Sequence, residues 1–180
     1  MNAAAPPAGP TTLKVPEGDN RERLVCDSCG FVLYRNPKVV VGAVIAHGDR
    51  VLLCRRAIDP RRGFWTIPAG YLELNESTAE GAMREAREEA GATIAIDSLL
   101  AVYSVPRISQ VQVIYAARLT SPEVAPGIET LETRLARWDE IPWADIAFPS
   151  VRWALGHWRE LREGGPAVAR TNPPGETGDF

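Results

Sequence analysis

The segment from residue 70 to residue 92 constrains the fold of this chain more than any other, because both ends of a helix can be identified in it. Ser77 is followed three residues later by Glu80, the spacing of a capping box, so a helix is expected to begin just after Ser77. Gly91 readily adopts the left-handed conformation that ends a helix. The sequence therefore predicts a helix between Ser77 and Gly91.

This helix is predicted to carry three carboxylates on one face. At about 100° per residue, Glu85, Glu88 and Glu89 fall close together. Like charges at this spacing cost about 0.2–0.5 kcal/mol per pair, so a compensating positive charge is expected. Two alternatives fit: a solvated face with the neighbouring Arg84 and Arg87, or a hard divalent cation such as Mg²⁺, which prefers oxygen ligands. A stripe of small residues beside this face is suited to close packing on a sheet: Ala79, Ala82, Met83, Ala86 and Ala90.

The spacing across the whole segment resembles the Nudix box. Gly70 is followed after five residues by Glu76, and after seven more by Arg84-Glu85-Ala86; Glu88-Glu89 and Gly91-Ala92 complete the pattern. Every fixed position of the motif is filled. The resemblance favours the metal-binding interpretation of the acidic face over the solvated one.

The resemblance covers the chain from about Lys14 to Leu161. It is strongest to the Nudix subgroup that hydrolyses FAD and ADP-ribose and that carries a small zinc-ribbon leader. It implies an α/β fold, the Nudix α/β/α sandwich with a mixed β-sheet, preceded by a small degenerate zinc-ribbon-like β-hairpin. It also implies a homodimer.

The resemblance further implies roles for the residues of the box. Glu76 and Arg84 are expected to orient the carboxylates, since an arginine can pair with a carboxylate and fix its rotamer. Four groups are implied as ligands of Mg²⁺, with Mn²⁺ as an alternative ion: the carbonyl of Gly70 and the carboxylates of Glu85, Glu88 and Glu89.

The general base is left open between two places in the chain. Family members use either a box glutamate, here Glu88, or a glutamate on a late loop. Glu129 and Glu132 lie where such a late carboxylate would be, although ordinary surface carboxylates are an equal alternative for both.

Substrate contacts are predicted outside the box. Residues 56–63 form a basic loop that begins with Arg56, and Arg55 ends the strand before it. Arginine matches the oxygens of a phosphate, so both are predicted to bind substrate, although a solvated loop explains the stretch equally well. Tyr103 is predicted to bind substrate by stacking on a base, with burial in the core as the alternative.

The leader contains one half of a zinc ribbon. Cys26 and Cys29 form a Cys-x-x-Cys knuckle, whereas the family's other knuckle is replaced here by Ala5 and Ala8. A structural zinc needs four ligands, so zinc is not expected, and both cysteines are expected to be free thiols. Redox activity of such a pair usually needs a thioredoxin-like context, which this sequence lacks.

The segments outside the box predict further strands and a second helix. Val39–Ala46 and Arg50–Arg55 predict a β-hairpin, further strands follow the box, and the spacing from Pro149 to Arg162 predicts a helix.

The chain is expected to divide into four regions. They are a flexible leader over 1–20, a zinc-ribbon-like segment over 21–37, a Nudix domain over 38–163 and a disordered tail over 164–180.

Composition excludes several classes of function. The net charge of −3 gives no electrostatic basis for nucleic acid as a partner, and no apolar run approaches the length of a membrane span. The N-terminus lacks the regions of a signal peptide, which predicts a cytoplasmic protein. A small nucleotide substrate is what the Nudix resemblance implies.

Three functions are compared. The leading hypothesis is Mg²⁺-dependent hydrolysis of the diphosphate bond in ADP-ribose, FAD or a similar dinucleotide, which releases AMP and the partner phosphate. The alternative is a pyrophosphatase that removes oxidised nucleoside triphosphates from the nucleotide pool. A non-catalytic nucleotide sensor is disfavoured, because such modules often lose the glutamates that this box keeps.

Overall fold

The computed structural model describes residues 9–178 and divides the chain into two units, Met1–Asn36 and Pro37–Phe180. The described part of the first unit contains an antiparallel sheet of three short strands: β1 (Thr12–Lys14), β2 (Arg23–Val25) and β3 (Val32–Leu33). Strand β1 lies in the predicted flexible leader and corrects that prediction, because it pairs along its length with β2. Ala5 and Ala8 lie outside the described residues.

The second unit is built on one mixed sheet whose main strands run in the order β10-β5-β4-β9-β8. Strands β4 and β9 are parallel, and the other pairs are antiparallel. The short β6 pairs with β5, and the short β7 pairs with β4. The bounds are β4 (Lys38–His47), β5 (Arg50–Arg56), β6 (Trp65–Thr66), β7 (Ala69–Tyr71), β8 (Ile94–Val105), β9 (Gln110–Leu119), β10 (Thr130–Arg137), α1 (Thr78–Ala90) and α2 (Pro149–Arg162).

The two helices cover opposite faces of this sheet, and β4 shows why. Its residues alternate between two cores, so that Ala43 and Ile45 pack with α1, whereas Val44 and Ala46 pack with α2. A strand buried on both faces needs a continuous apolar run, which is what β4 has. The predicted α/β/α sandwich with a mixed sheet is confirmed. Neither helix is long and apolar enough to cross a membrane, and no other helix of the described chain is.

Helix α1 has the ends that the sequence predicts. The Ser77 hydroxyl accepts a hydrogen bond from the Glu80 N–H at 3.3 Å, and the Glu80 carboxylate accepts one from the Ser77 N–H at 2.8 Å. Gly91 ends the helix with a φ of 58°. The capping box satisfies main-chain donors that the first turn of a helix otherwise leaves without partners.

The end of the chain differs from the predicted disordered tail. The main chain of Arg170 exchanges hydrogen bonds with β8, accepting from the Val102 N–H at 2.8 Å and donating to the Leu100 carbonyl at 2.9 Å. The Asn172 side chain bonds both main-chain groups of Ser104. Strand β8 is the edge of the sheet, and its free main-chain groups supply partners that composition alone does not reveal.

Replacing Ser77 by alanine is expected to lower the free energy of unfolding by about 1 kcal/mol, because the first turn of α1 loses its cap. Chemical denaturation followed by circular dichroism measures this. Ser104→Ala, on the exposed side of β8, is the matched control. Equal stability of the two variants would contradict the role of the cap.

Candidate active site at the Glu76–Glu89 segment

Arg84 connects the acidic residues of the segment. Its guanidinium binds the Glu76 carboxylate with two hydrogen bonds, from Nε at 3.0 Å and from Nη2 at 2.7 Å. Its Nη1 donates to Glu85 at 2.7 Å and to Glu88 at 2.9 Å, and its Nη2 also donates to the Tyr71 carbonyl at 3.0 Å. These bonds lower the pKa of Glu76 to about 2 and raise the pKa of Arg84. Glu80, the other carboxylate near Arg84 in sequence, serves the helix cap instead.

Two of the predicted metal ligands are buried carboxylates. Glu85 and Glu89 are each 8% exposed. Burial raises the pKa of Glu85, against the opposing effect of its bond with Arg84. Burial also raises the pKa of Glu89 to about 8, and a hydrogen bond from the Ala69 N–H at 3.1 Å opposes this shift. Two acidic groups held in a poorly solvated place favour the approach of a cation.

Gly70 lies directly against one of these carboxylates. A Cβ atom at this position would come within 2.5 Å of the Glu85 Cδ atom, which is closer than atoms can pack. Strand β7 places Gly70 there by pairing it with Val41 of β4. The absence of a side chain at residue 70 therefore lets the main chain reach the acidic cluster.

The carboxylates of the segment supply the oxygen donors that a divalent ion prefers, but in the described residues they are not grouped around one point. Glu88 is the exposed member of the three, with 59% of its side chain accessible. In the described chain, no three acidic, histidine or cysteine side chains are grouped closely enough to hold an ion. Arg84 pairs with Glu85 and Glu88, while the Glu89 carboxylate accepts a hydrogen bond from the Ala69 N–H. Carboxylate oxygens beside a glycine main chain are the donor chemistry that suits Mg²⁺ or Mn²⁺.

The loop before β10 is attached to the C-terminal end of α1. The Gly127 N–H donates to the Glu89 carbonyl at 3.0 Å, and the Ala125 N–H donates to the Ala90 carbonyl at 2.8 Å. A Cβ atom at Gly127 would overlap the Glu88 carbonyl oxygen. The free carbonyls at the end of the helix thus hold this loop in place.

The two late carboxylates, Glu129 and Glu132, have different surroundings. Glu129 is close enough for its charge to contribute to the raised pKa of both Glu85 and Glu89, although burial is the larger cause. Glu132 instead pairs with its neighbours on the sheet, with Arg134 at 3.0 Å and with Arg55 at 3.8 Å. Of the two, the structure brings Glu129 to the acidic cluster.

The two predicted substrate arginines also differ. Burial raises the pKa of Glu89, and the positive charge of Arg56 is one of the effects that oppose this shift, so Arg56 lies near the cluster. Its Nε donates to the Pro60 carbonyl at 2.9 Å. Arg55 donates from Nε to the Gly63 carbonyl at 2.9 Å and faces Glu132 across the strand pair. Both side chains therefore have protein partners, and Arg56 is the one near the carboxylates.

The prediction that Tyr103 binds a base is wrong. Its ring is fully buried in the core on the α2 side of the sheet, in edge-to-face contact with Trp153 at 5.4 Å between centroids. Its hydroxyl lies 2.7 Å from Nδ1 of His157. The alternation of β8 points this side chain into the interior, so no face of the ring is free to stack on a ligand.

Comparison with known proteins identifies the family. The family model described as NUDIX domain matches residues 36–158, which is more than half of the chain. This chain belongs to the Nudix family. A second model, described as Nudix N-terminal, matches residues 8–35.

Similar proteins include other Nudix hydrolases. The crystal structure of a NUDIX hydrolase from Nitrosomonas europaea shares 46% identity with a TM-score of 0.83, covering 89% of this chain and 93% of that one. An ADP-ribose pyrophosphatase from Methanocaldococcus jannaschii is 29% identical over 116 residues, covering 62% of this chain and 69% of that protein. An NAD-capped RNA hydrolase, NudC, from Stutzerimonas stutzeri is 31% identical over 150 residues, covering 79% of this chain and 52% of that protein.

Sequence reasoning did not identify three main-chain contributions to this Nudix site. They are the Ala69 N–H that binds Glu89, the Tyr71 carbonyl that binds Arg84, and the Gly127 contact with α1. Main-chain groups leave little trace in a sequence. The one available signal was the glycine in the Pro126-Gly127 pair, whose lack of a side chain permits the close approach.

Gly127→Ala is expected to detach this loop, because the added methyl group would overlap the Glu88 carbonyl oxygen. We expect faster hydrogen exchange in residues 121–130 and a loss of about 1–3 kcal/mol in unfolding free energy. Gly156→Ala on α2 is the matched control, since its Cβ would meet open space. Unchanged exchange in the Gly127 variant would show that the contact does not hold the loop.

Proposed function

We propose that this Nudix hydrolase cleaves the diphosphate bond of a nucleoside diphosphate linked to another moiety. ADP-ribose and FAD are the leading substrates, with AMP and the partner phosphate as products, and the ion is Mg²⁺, with Mn²⁺ as an alternative. The observation that carries the proposal is the acidic cluster of Glu85, Glu88 and Glu89 on one helix. Arg84 joins Glu85 to Glu88, the Ala69 N–H bonds Glu89, and the side-chain-free Gly70 lies against Glu85.

A diphosphate suits this cluster because it carries concentrated negative charge. When bound, a divalent ion neutralises that charge and lowers the pKa of attached water, which makes water a better nucleophile. The proposed holders of the ion are the carboxylates of Glu85, Glu88 and Glu89 and the carbonyl of Gly70. Catalysis then depends mainly on positioning and electrostatics.

Arg84 and Glu76 have a proposed orienting role. The two hydrogen bonds between them fix the plane of the guanidinium, and the remaining donors of Arg84 fix Glu85 and Glu88. The planar guanidinium of arginine donates several hydrogen bonds in fixed directions, and the single ammonium group of lysine cannot reproduce this geometry. We therefore expect Arg84→Lys to lower the turnover rate about 10–100-fold while the fold is kept.

Two groups are proposed as proton acceptors for the attacking water. Glu88 is the exposed box carboxylate, and Glu129 is a carboxylate that reaches the cluster from outside the helix. Glu132 is a weaker candidate, because its partners Arg134 and Arg55 belong to the sheet and not to the acidic cluster. Arg56, beside Glu89, is the proposed contact for a substrate phosphate, and Arg55 is secondary for the same reason as Glu132.

The similar proteins support a dinucleotide substrate. One is named an ADP-ribose pyrophosphatase and another an NAD-capped RNA hydrolase, and in both substrates a diphosphate joins adenosine to a second group. The second candidate, removal of oxidised nucleotides, is favoured by a human 8-oxo-dGDP phosphatase that is 39% identical over 64 residues, covering 36% of this chain and 20% of that protein. The shorter match makes this the weaker proposal. A homodimer remains a prediction from the resemblance, and a cytoplasmic location remains a prediction from the N-terminal sequence.

A substrate panel tests the reaction. FAD, ADP-ribose, NADH and 8-oxo-dGTP are incubated with the full chain and Mg²⁺, with and without a chelator, and the products are separated by chromatography. We expect AMP from FAD or ADP-ribose, lost on chelation. Preference for 8-oxo-dGTP would replace the leading substrate by the second candidate, and activity that survives chelation would contradict the metal assignment.

Neutral variants test the carboxylates. Glu88→Gln and Glu89→Gln keep the size of the side chain but remove its charge, so each is expected to lower turnover on the order of 100-fold or more. Glu129→Gln and Glu132→Gln, measured together, separate the late carboxylates, and the larger loss is expected for Glu129. Glu163→Gln at the end of α2 is the control, because its carboxylate pairs with Arg159. Wild-type rates in both box variants would refute the role of the cluster.

A further inference from the structure

Two thiols lie at the ends of one tight turn in the first unit. The turn joins β2 to β3 and is closed by hydrogen bonds from the Gly30 N–H to the Cys26 carbonyl and from the Cys26 N–H to the Phe31 carbonyl, each 2.8 Å long. Gly30 has a φ of 73°, which lets the chain reverse there. Cys26 is buried at 3% exposure, whereas Cys29 is exposed.

The ligands of a structural zinc site are not present in this unit. Zinc in such sites takes four cysteine or histidine ligands. Within residues 9–178, no third acidic, histidine or cysteine side chain joins Cys26 and Cys29, and alanine at residues 5 and 8 has no donor atom. The match to the Nudix N-terminal model therefore covers a segment whose side chains do not fit the metal.

The sequence lacks a thioredoxin-like context and so provides no reason to expect redox activity, but the turn supplies a local setting for it. We propose that Cys26 and Cys29 are a thiol pair that forms a reversible disulfide by exchange with a low-molecular-weight disulfide. The exposed Cys29 thiolate attacks one sulfur of that disulfide, so a mixed disulfide forms and one small thiolate leaves. The Cys26 thiolate then attacks the Cys29 sulfur, the Cys26–Cys29 bond forms and the second small thiolate leaves. The two protons of the protein thiols end on the two small thiols, so the pair is oxidised by two electrons and the small disulfide is reduced.

The surroundings of Cys26 suit the closing step. Its Sγ lies 3.4 Å from the Ser28 hydroxyl, and the main-chain N–H groups of Ser28 and Cys29 also face it. These hydrogen bonds, with that of Ser28 the largest, lower the pKa of the Cys26 thiol to about 7. A large fraction of Cys26 is then the nucleophilic thiolate at neutral pH. The side chain of Cys29 is itself one of its hydrogen-bond partners, so the thiolate is within hydrogen-bond reach of the sulfur that it attacks.

Cys54 provides a contrast within the same chain. It is buried in β5, where burial raises the pKa of its thiol. A thiol without access or thiolate character does not undergo exchange readily. Cys54 is therefore the internal control.

The experiment uses the full reduced chain and oxidised glutathione. Remaining thiols are alkylated after denaturation and the protein is analysed by mass spectrometry. We expect a loss of two hydrogen atoms with Cys26 and Cys29 linked, alkylation confined to Cys54, and recovery of all three thiols with dithiothreitol. Once the mixed disulfide on Cys29 has formed, the rate of its closure should rise with pH through about 7 and then level off, following the Cys26 thiolate.

Three variants separate the steps. Cys26→Ser should accumulate the glutathione adduct on Cys29, because nothing resolves it, whereas Cys29→Ser should leave the buried Cys26 largely unmodified. Ser28→Ala should shift the pH dependence of closure upward, and Ser28→Thr should restore it. The proposal is overturned if Cys26 and Cys29 stay reduced, if Cys54 reacts as fast as they do, or if the purified chain carries one zinc ion bound by this pair.

Discussion

The arrangement of the candidate site depends on the position of the Arg84 guanidinium. One side chain binds Glu76, Glu85, Glu88 and the Tyr71 carbonyl at distances of 2.7–3.0 Å. An exposed ion pair contributes little to stability, but a carboxylate removed from water without a partner costs several kcal/mol. Arg84 is therefore what allows Glu85 to lie against the sheet, whereas the buried Glu89 accepts a hydrogen bond from the Ala69 N–H. The same bonds orient the carboxylates, so the stability of the folded segment and the geometry of the site have one cause.

Two glycines complete this arrangement from different parts of the chain. Gly70 lets the main chain of β7 approach Glu85, and Gly127 lets a late loop approach the carbonyl groups at the end of α1. Helix α1 thus contributes to the site in two ways. Its side chains form the acidic cluster, and its last carbonyls, which have no partner within the helix, accept hydrogen bonds from the loop that carries Glu129. A small movement of either contact would displace a carboxylate, so strand β7 and the loop that carries Gly127 are expected to be rigid near the cluster.

The sequence was most informative where the deciding interactions are local. The capping box at Ser77, the glycine at the helix end and the apolar run of β4 each depend on neighbouring residues, and each was predicted correctly. The position of Tyr103 was not predicted correctly, because the face of a strand on which a side chain lies depends on the register of the whole sheet. The tail after residue 163 was not predicted either, because its order depends on a distant edge strand. Choosing between Glu129 and Glu132 required the same long-range information, since a β-bulge lies between Thr130 and Glu132.

The central claim is that the buried carboxylates next to Arg84 hold a divalent ion. Its most direct test is the binding of Mn²⁺ to the substrate-free protein, measured by electron paramagnetic resonance for the wild type, Glu85→Gln and Glu89→Gln. We predict saturable binding to the wild type, competed by Mg²⁺ and weakened at least about tenfold in each variant. Equal binding by all three proteins would contradict the claim and would place any metal requirement elsewhere in the molecule.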